Sequence, residues 1–190
     1  MFPFGVVSFS YRKGVKDIPF RPAIDFRSKT CCLTGHQDIA PWEEKKVLNK
    51  MWNQIARLLQ EGYLYFGVGG ARGFDRLATE YLLDIRDQWK KQIRIISVLP
   101  YAGYMKDWDE QDIARQGRII RRSNKVVYVC QEKDGAFLAR DRKLVDESSF
   151  CICYCHRLTG GTAYTVRYAR QQGVSVFNTS SWDLRQLGSK

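Results

Sequence analysis

The chain has 190 residues, 44% of them hydrophobic, which is enough for one sizeable core and too short for two full domains. Its 31 Lys and Arg against 20 Asp and Glu give a formal net charge of +11, which favours anionic partners. No apolar run approaches the roughly 20 residues of a membrane span, and the opening MFPFGVVSFSYRKGVKD carries its charges after a short apolar stretch rather than before it, so no membrane partner and a cytoplasmic location are expected.

Residues 1–28 read as an N-terminal arm, extended or partly disordered, because Pro3, Pro19 and Pro22 fall among aromatics and charges without a sustained period. A single domain is expected over residues 29–190. Thr30 to Thr34 reads as a buried strand ending at Gly35. A helix opened by Pro41 follows, with Leu48, Met51, Trp52, Ile55, Leu58 and Leu59 at helical spacing and Gly62 as its stop. Tyr63 to Val68 is a second strand, leading into Gly69, Gly70 and Gly73. The next helix carries Phe74, Leu77, Ala78, Tyr81, Leu82, Ile85 and Trp89 on one face. Ile93 to Pro100 is the third strand, Asp107 to Arg122 is mostly helical, and Lys125 to Cys130 is the fourth strand. A short helix over Ala136 to Glu147 leads to a fifth strand at Phe150 to Cys155. A last helix runs from Gly160 and Gly161 to Gly173, before a sixth strand at Val174 to Phe177. Strands separated by helices predict an α/β chain: a three-layer α/β/α, Rossmann-like fold with a mainly parallel sheet of about six strands.

The charge is dispersed. Its densest pieces, Arg118 to Lys125 and Arg140 to Lys143, read mainly as solvated helix faces. Three of the six cysteines alternate in FCICYCH, which puts Cys151, Cys153 and Cys155 on one face of a strand, about 6–7 Å apart. Metal sites favour ligands from CxxC turns, so no metal is expected, and the cysteines read as reduced, buried, small hydrophobes.

In an open parallel sheet, ligands bind beyond the carboxyl ends of the strands. Four loops fall there: Leu33 to Asp38, Gly67 to Asp75, Leu99 to Gly103 and Arg157 to Thr162. In GGARGFD, glycines leave a strand and open a helix, whose free N–H groups and positive dipole end suit a phosphate. Asp75 either bonds ribose hydroxyls or caps the helix. Arg72 either pairs with a phosphate or points into water. Gly160, Gly161 and Thr162 form a second glycine-rich helix start, where the Thr162 hydroxyl can donate to a phosphate or cap the helix. Thr34, Gly35 and His36 form a third turn, and Pro100 joins from the third strand's end. Arg140 and Asp141 can reach the same crevice or lie on a solvated helix face. Trp108 and Tyr104 can wall a base pocket or belong to the core. His156 ranks below His36 as a ligand contact.

These motifs also resemble the YpsA-like branch of the SLOG superfamily, related to the DprA/Smf and LOG proteins. The resemblance spans roughly Lys29 to Ser180 and rests on LTGH, GGARGFDRLATEYLL, VLPY, RDRKLVDESS and TGGTAYTVRYA in that order. It implies six parallel strands in a fold similar to the molybdenum-cofactor carrier. It also implies a nucleotide-derived ligand, ADP-ribose-like or a related sugar nucleotide, held by Gly35, Gly69, Gly70, Gly73, Asp75, Gly160, Gly161 and Thr162. LOG enzymes place a catalytic glutamate shortly after the second glycine motif, whereas AYTVRYARQQ carries no carboxylate. Glycoside chemistry needs such a group, so Asp75 is the candidate if the chain is an enzyme, and the catalytic residues are otherwise unassigned. The expected function is to bind or sense a small-molecule nucleotide or nucleotide sugar, with no cofactor required. The alternatives are a nucleotide hydrolase and a DNA-binding protein, nucleic acid ranking below the small molecule. Homodimerisation stays open.

Overall fold

The computed structural model describes residues 25–88, 90 and 92–188. Most of the expected arm, residues 1–24, and Trp89 lie outside them. Residues 25–28 hold onto the domain: a 3-10 turn spans Arg27–Lys29, and Phe26 packs edge-on against Tyr65 at 5.4 Å.

Six strands form one sheet in the order β4-β3-β2-β1-β5-β6, and every pairing is parallel. They are β1 (Thr30–Gly35), β2 (Tyr65–Val68), β3 (Arg94–Leu99), β4 (Lys125–Tyr128), β5 (Phe150–Tyr154) and β6 (Ser175–Asn178). Five helices connect them: α1 (Pro41–Gln60), α2 (Phe74–Gln88), α3 (Glu110–Arg122), α4 (Ala136–Asp146) and α5 (Gly161–Gln171). The fold is thus the three-layer, Rossmann-like α/β/α architecture that the alternation predicts. No helix among the described residues is long and apolar enough to cross a membrane.

The central strands are buried on both faces, so β1 and β5 read as unbroken apolar runs. Their side chains still alternate. Cys31, Leu33, Phe150, Ile152 and Tyr154 share one core with Met51 and Ile55 of α1, Phe74 and Leu82 of α2 and Ile119 of α3. Cys32, Cys151, Cys153 and Cys155 face the other way and pack with Leu144 and Val145 of α4 and Ala163 and Val166 of α5. The FCICYC alternation therefore puts three thiols under one helical layer as small apolar fillers, while Cys130 is half-buried. The edge strands β4 and β6 are only partly covered.

From β1 the chain winds outward through β2, β3 and β4, then returns across the sheet to β5 and continues to β6. The winding direction reverses between β1 and β5. There the loops leaving the two strands diverge and open a crevice at the carboxyl edge.

Candidate functional site

A cleft of about 370 Å³ occupies that crevice. The β1 end supplies Thr34, Gly35, His36, Gln37 and Asp38; α2 supplies Asp75; α4 supplies Arg140 and Asp141; and the β5 end and α5 supply Arg157, Gly160, Gly161 and Thr162. A larger, more apolar cavity of about 540 Å³ lies toward the amino ends of the strands, near Phe26, Tyr65 and Lys125, away from the glycine-rich helix starts.

Two loops pack tightly to form the cleft's first wall. Phe74 N–H donates to the His36 carbonyl at 3.3 Å. A side chain on Gly35 would strike the Phe74 ring, so only a glycine lets the start of α2 close onto β1. Gly73 has φ +70°, and a Cβ there would run into the Gln37 backbone. Asp75, at the start of α2, is 4% exposed and accepts a hydrogen bond from Gly35 N–H at 3.2 Å and another from Ala71 N–H. Burial pushes its carboxyl up from 3.8 to about 6, against the pull of Arg140 and these amides, with Asp141 adding repulsion.

The floor is a buried cation between carboxylates. Arg140 Nη1 donates to the Gly69 carbonyl, and its Nε lies 2.7 Å from Asp141 Oδ1. Burial also raises the Asp141 carboxyl, opposed by Arg140 and by a hydrogen bond from Thr165. Two carboxylates with raised pKa values around one arginine in a cleft mark a candidate site on physical grounds.

The second wall is α5. Its first turn, at Gly160 and Gly161, has no side-chain cap, and Gly160 has φ +92°. Thr162 is the second residue of α5 rather than its N-cap, so its hydroxyl does not cap this turn. A Cβ on Gly161 would meet nothing closer than Asp141 Oδ2 at 3.8 Å, which leaves room above the helix end. The loop before α5 is fixed by Asn178, whose side chain accepts from Cys155 N–H at 3.0 Å and donates to the Cys155 carbonyl at 2.8 Å.

His36 bridges the walls. Its Nδ1 accepts from His156 N–H at 3.3 Å, which leaves Nε2 as the N–H facing the Thr159 carbonyl at 3.4 Å. Burial lowers its pKa, helped by Arg157 and His156. The two imidazoles meet edge to face at 4.6 Å, and Asp38 bonds both His156 Nε2 (3.3 Å) and Arg157 (2.8 Å).

Seven of the predicted residues therefore meet in the cleft: Thr34, Gly35, His36, Asp75, Gly160, Gly161 and Thr162. Gly69 lies behind it as the anchor of Arg140. Gly70 faces Leu99 and Tyr104 instead, and Gly73 serves the packing of two loops. Arg72 lies outside, over the Trp108 ring at 5.3 Å and 3.6 Å from Asp112. Pro100 is buried, and its carbonyl accepts from Cys130 N–H beyond the end of β4. Arg140 and Asp141 do reach the crevice. Gln37, Asp38 and Arg157 carried no sequence signal beyond their place in strand-end loops. Among the described residues, no group of three or more His, Cys, Asp or Glu is placed to hold a metal ion.

The family model YpsA, described as the YspA SLOG family, matches residues 34–180. The fold is similar to DNA processing protein A from Streptococcus pneumoniae, with a TM-score of 0.59 and 18% identity over 81% of this chain and 51% of that one. It is also similar to DNA processing protein A from Helicobacter pylori, solved for its single-stranded DNA binding mode, with a TM-score of 0.57 and 19% identity over 81% of this chain and 66% of that one. This chain thus spans about half of the first protein and just under two thirds of the second.

Proposed function

Since the chain belongs to the YpsA family of SLOG proteins, we propose that the β1/β5 cleft binds a small nucleotide-derived ligand of the ADP-ribose type. The observation that carries this reading is the open, uncapped start of α5 beside Arg157, facing buried carboxylates across the cleft. The free N–H groups at Gly161 and Thr162 suit a phosphate. Asp141 and Asp75, rich in acceptor oxygens, suit the hydroxyls of a ribose. The ligand carries its own anionic and polar groups, so no cofactor enters this reading.

The test is calorimetric titration of ADP-ribose into the wild type and Gly161→Val, with mass spectrometry of the mixture afterwards. A Cβ at Gly161 meets nothing closer than Asp141 Oδ2 at 3.8 Å, so the variant is expected to fold with the valine in the phosphate seat, and binding is expected in the wild type and at least tenfold weaker in the variant. Equal affinity in both would remove α5 from the site. Recovery of intact ligand supports a binding or sensing role. Cleavage that disappears in Asp75→Ala would make the protein a hydrolase.

A nucleic-acid reading is favoured by one feature, the arginines of α3. Arg115, Arg118, Arg121 and Arg122 edge a shallow depression of about 210 Å³ on a chain of net charge +11. It predicts affinity for a short oligothymidylate that falls steeply with salt.

A further inference from the structure

The cleft accounts for a phosphate and a sugar but not for a base. Tyr104 and Trp108 do not provide its wall: Tyr104 is 6% exposed and packs on Trp108, whose ring carries Arg72 and Arg76. Another aromatic pair stands at the same sheet edge. Tyr101 follows the end of β3, and Phe137 is the second residue of α4, 45% exposed. Their rings lie 6.1 Å apart at 89°.

Phe137 precedes Arg140 and Asp141 by three and four residues, so all three share one face of α4, with neighbouring side chains about 5–6 Å apart. Arg140 and Asp141 are buried in the cleft floor, and Phe137 stands one turn higher, toward solvent. Asp141 in turn lies beside Gly161. Reading from α5 toward α4, the cleft presents free amides and then a carboxylate, and Phe137 stands just outside its lining, one turn along α4 from Asp141. A nucleotide presents phosphate, ribose and base in the same order. Perpendicular rings form a corner in which a flat heterocycle can stack on one ring and rest its edge on the other.

We propose that Tyr101 and Phe137 form the seat of the ligand's nucleobase, stacking a purine-type ring at the rim of the cleft. This rests on the nucleotide reading of the cleft. Base–aromatic contacts of this kind are broad in base preference, because every base has a π-face.

The test compares ADP-ribose, ribose 5-phosphate and a short oligothymidylate by titration into the wild type, Phe137→Ala and Gly161→Val. Phe137 is exposed, so its loss should leave the melting temperature near that of the wild type. The expected result is that Phe137→Ala weakens ADP-ribose about 5- to 150-fold and leaves ribose 5-phosphate unchanged, while Gly161→Val weakens both. Phe137→Tyr, which keeps a stacking face, should restore ADP-ribose affinity. If Phe137→Ala leaves ADP-ribose unchanged while Gly161→Val abolishes it, the base seat is overturned and the cleft stands. If Phe137→Ala weakens the oligothymidylate alone, the pair serves a polynucleotide and the proposal is likewise overturned. If the wild type binds neither small ligand, both readings fall.

Discussion

Asp75 ionises with difficulty because burial outweighs the help of Arg140 and of the Gly35 and Ala71 amides. Its folded pKa of about 6 exceeds the ordinary value of 3.8. Between those values the folded protein keeps a proton that the unfolded chain has lost. Stability from this group is therefore fully present below about pH 4 and is lost as pH rises through 6, a change of about 3 kcal/mol at most. His36 works in the opposite sense: its pKa is lowered, so it costs stability as pH falls below 6.5. Comparing the wild type with Asp75→Asn isolates the first effect. In urea denaturation, the stability of the wild type relative to the variant should fall from pH 4 to pH 6.5 and then level off. A difference that stays constant would mean that Asp75 titrates like a surface carboxylate. The sequence marked Asp75 as important without deciding between a ligand contact and a cap. The structure adds a further role, as the buried acceptor that joins the β1 and β2 loops through Gly35 and Ala71.

The elements themselves were largely legible. Pro41 opens α1 and Gly62 follows its end, and the unbroken apolar runs of β1 and β5 signal strands covered on both sides. At α3, the helical stretch expected from Asp107 begins at Glu110, because the Asp109 side chain accepts from Asp112 N–H at 2.8 Å and caps the helix there. What the letters could not separate was the use of each glycine. GGARG and TGGT both read as phosphate loops, yet a Cβ on Gly70 or Gly73 would collide with protein while one on Gly161 meets only Asp141 at 3.8 Å. Alanine substitutions should expose the difference. Gly73→Ala combines a left-handed backbone with a collision against Gln37, and should cost about 2–4 kcal/mol of stability. Gly161→Ala has neither problem and should lie within about 1 kcal/mol of the wild type. Chemical denaturation of the two variants checks this, and equal losses would refute the distinction.

For the molecule as a whole, alternating strands and helices predicted a parallel sheet, but not the order of its strands. That order decides the site. Because β5 returns to the far side of β1, α4 and the β5 loop are brought to the crevice, and Arg140 meets the Gly69 carbonyl from 71 residues along the chain. Contacts across such separations leave no local signature, which is why Asp38 and Arg157 could not be read in advance and Asp141 could equally be placed on a solvated helix face. Arg72 turns away to Trp108 and Asp112 although its neighbour Ala71 lines the cleft, and Pro100 follows β3, two strands away from β1. The claim that most depends on this topology is that the ligand lies at the β1/β5 crevice. The measurement that tests it is amide chemical-shift mapping of the isotope-labelled protein during titration with ADP-ribose. The largest shifts are expected at Gly35, Gly161 and Thr162, with changes at Asp75 and Arg140. Shifts confined to α3, or to the apolar cavity beside Phe26 and Tyr65, would contradict it.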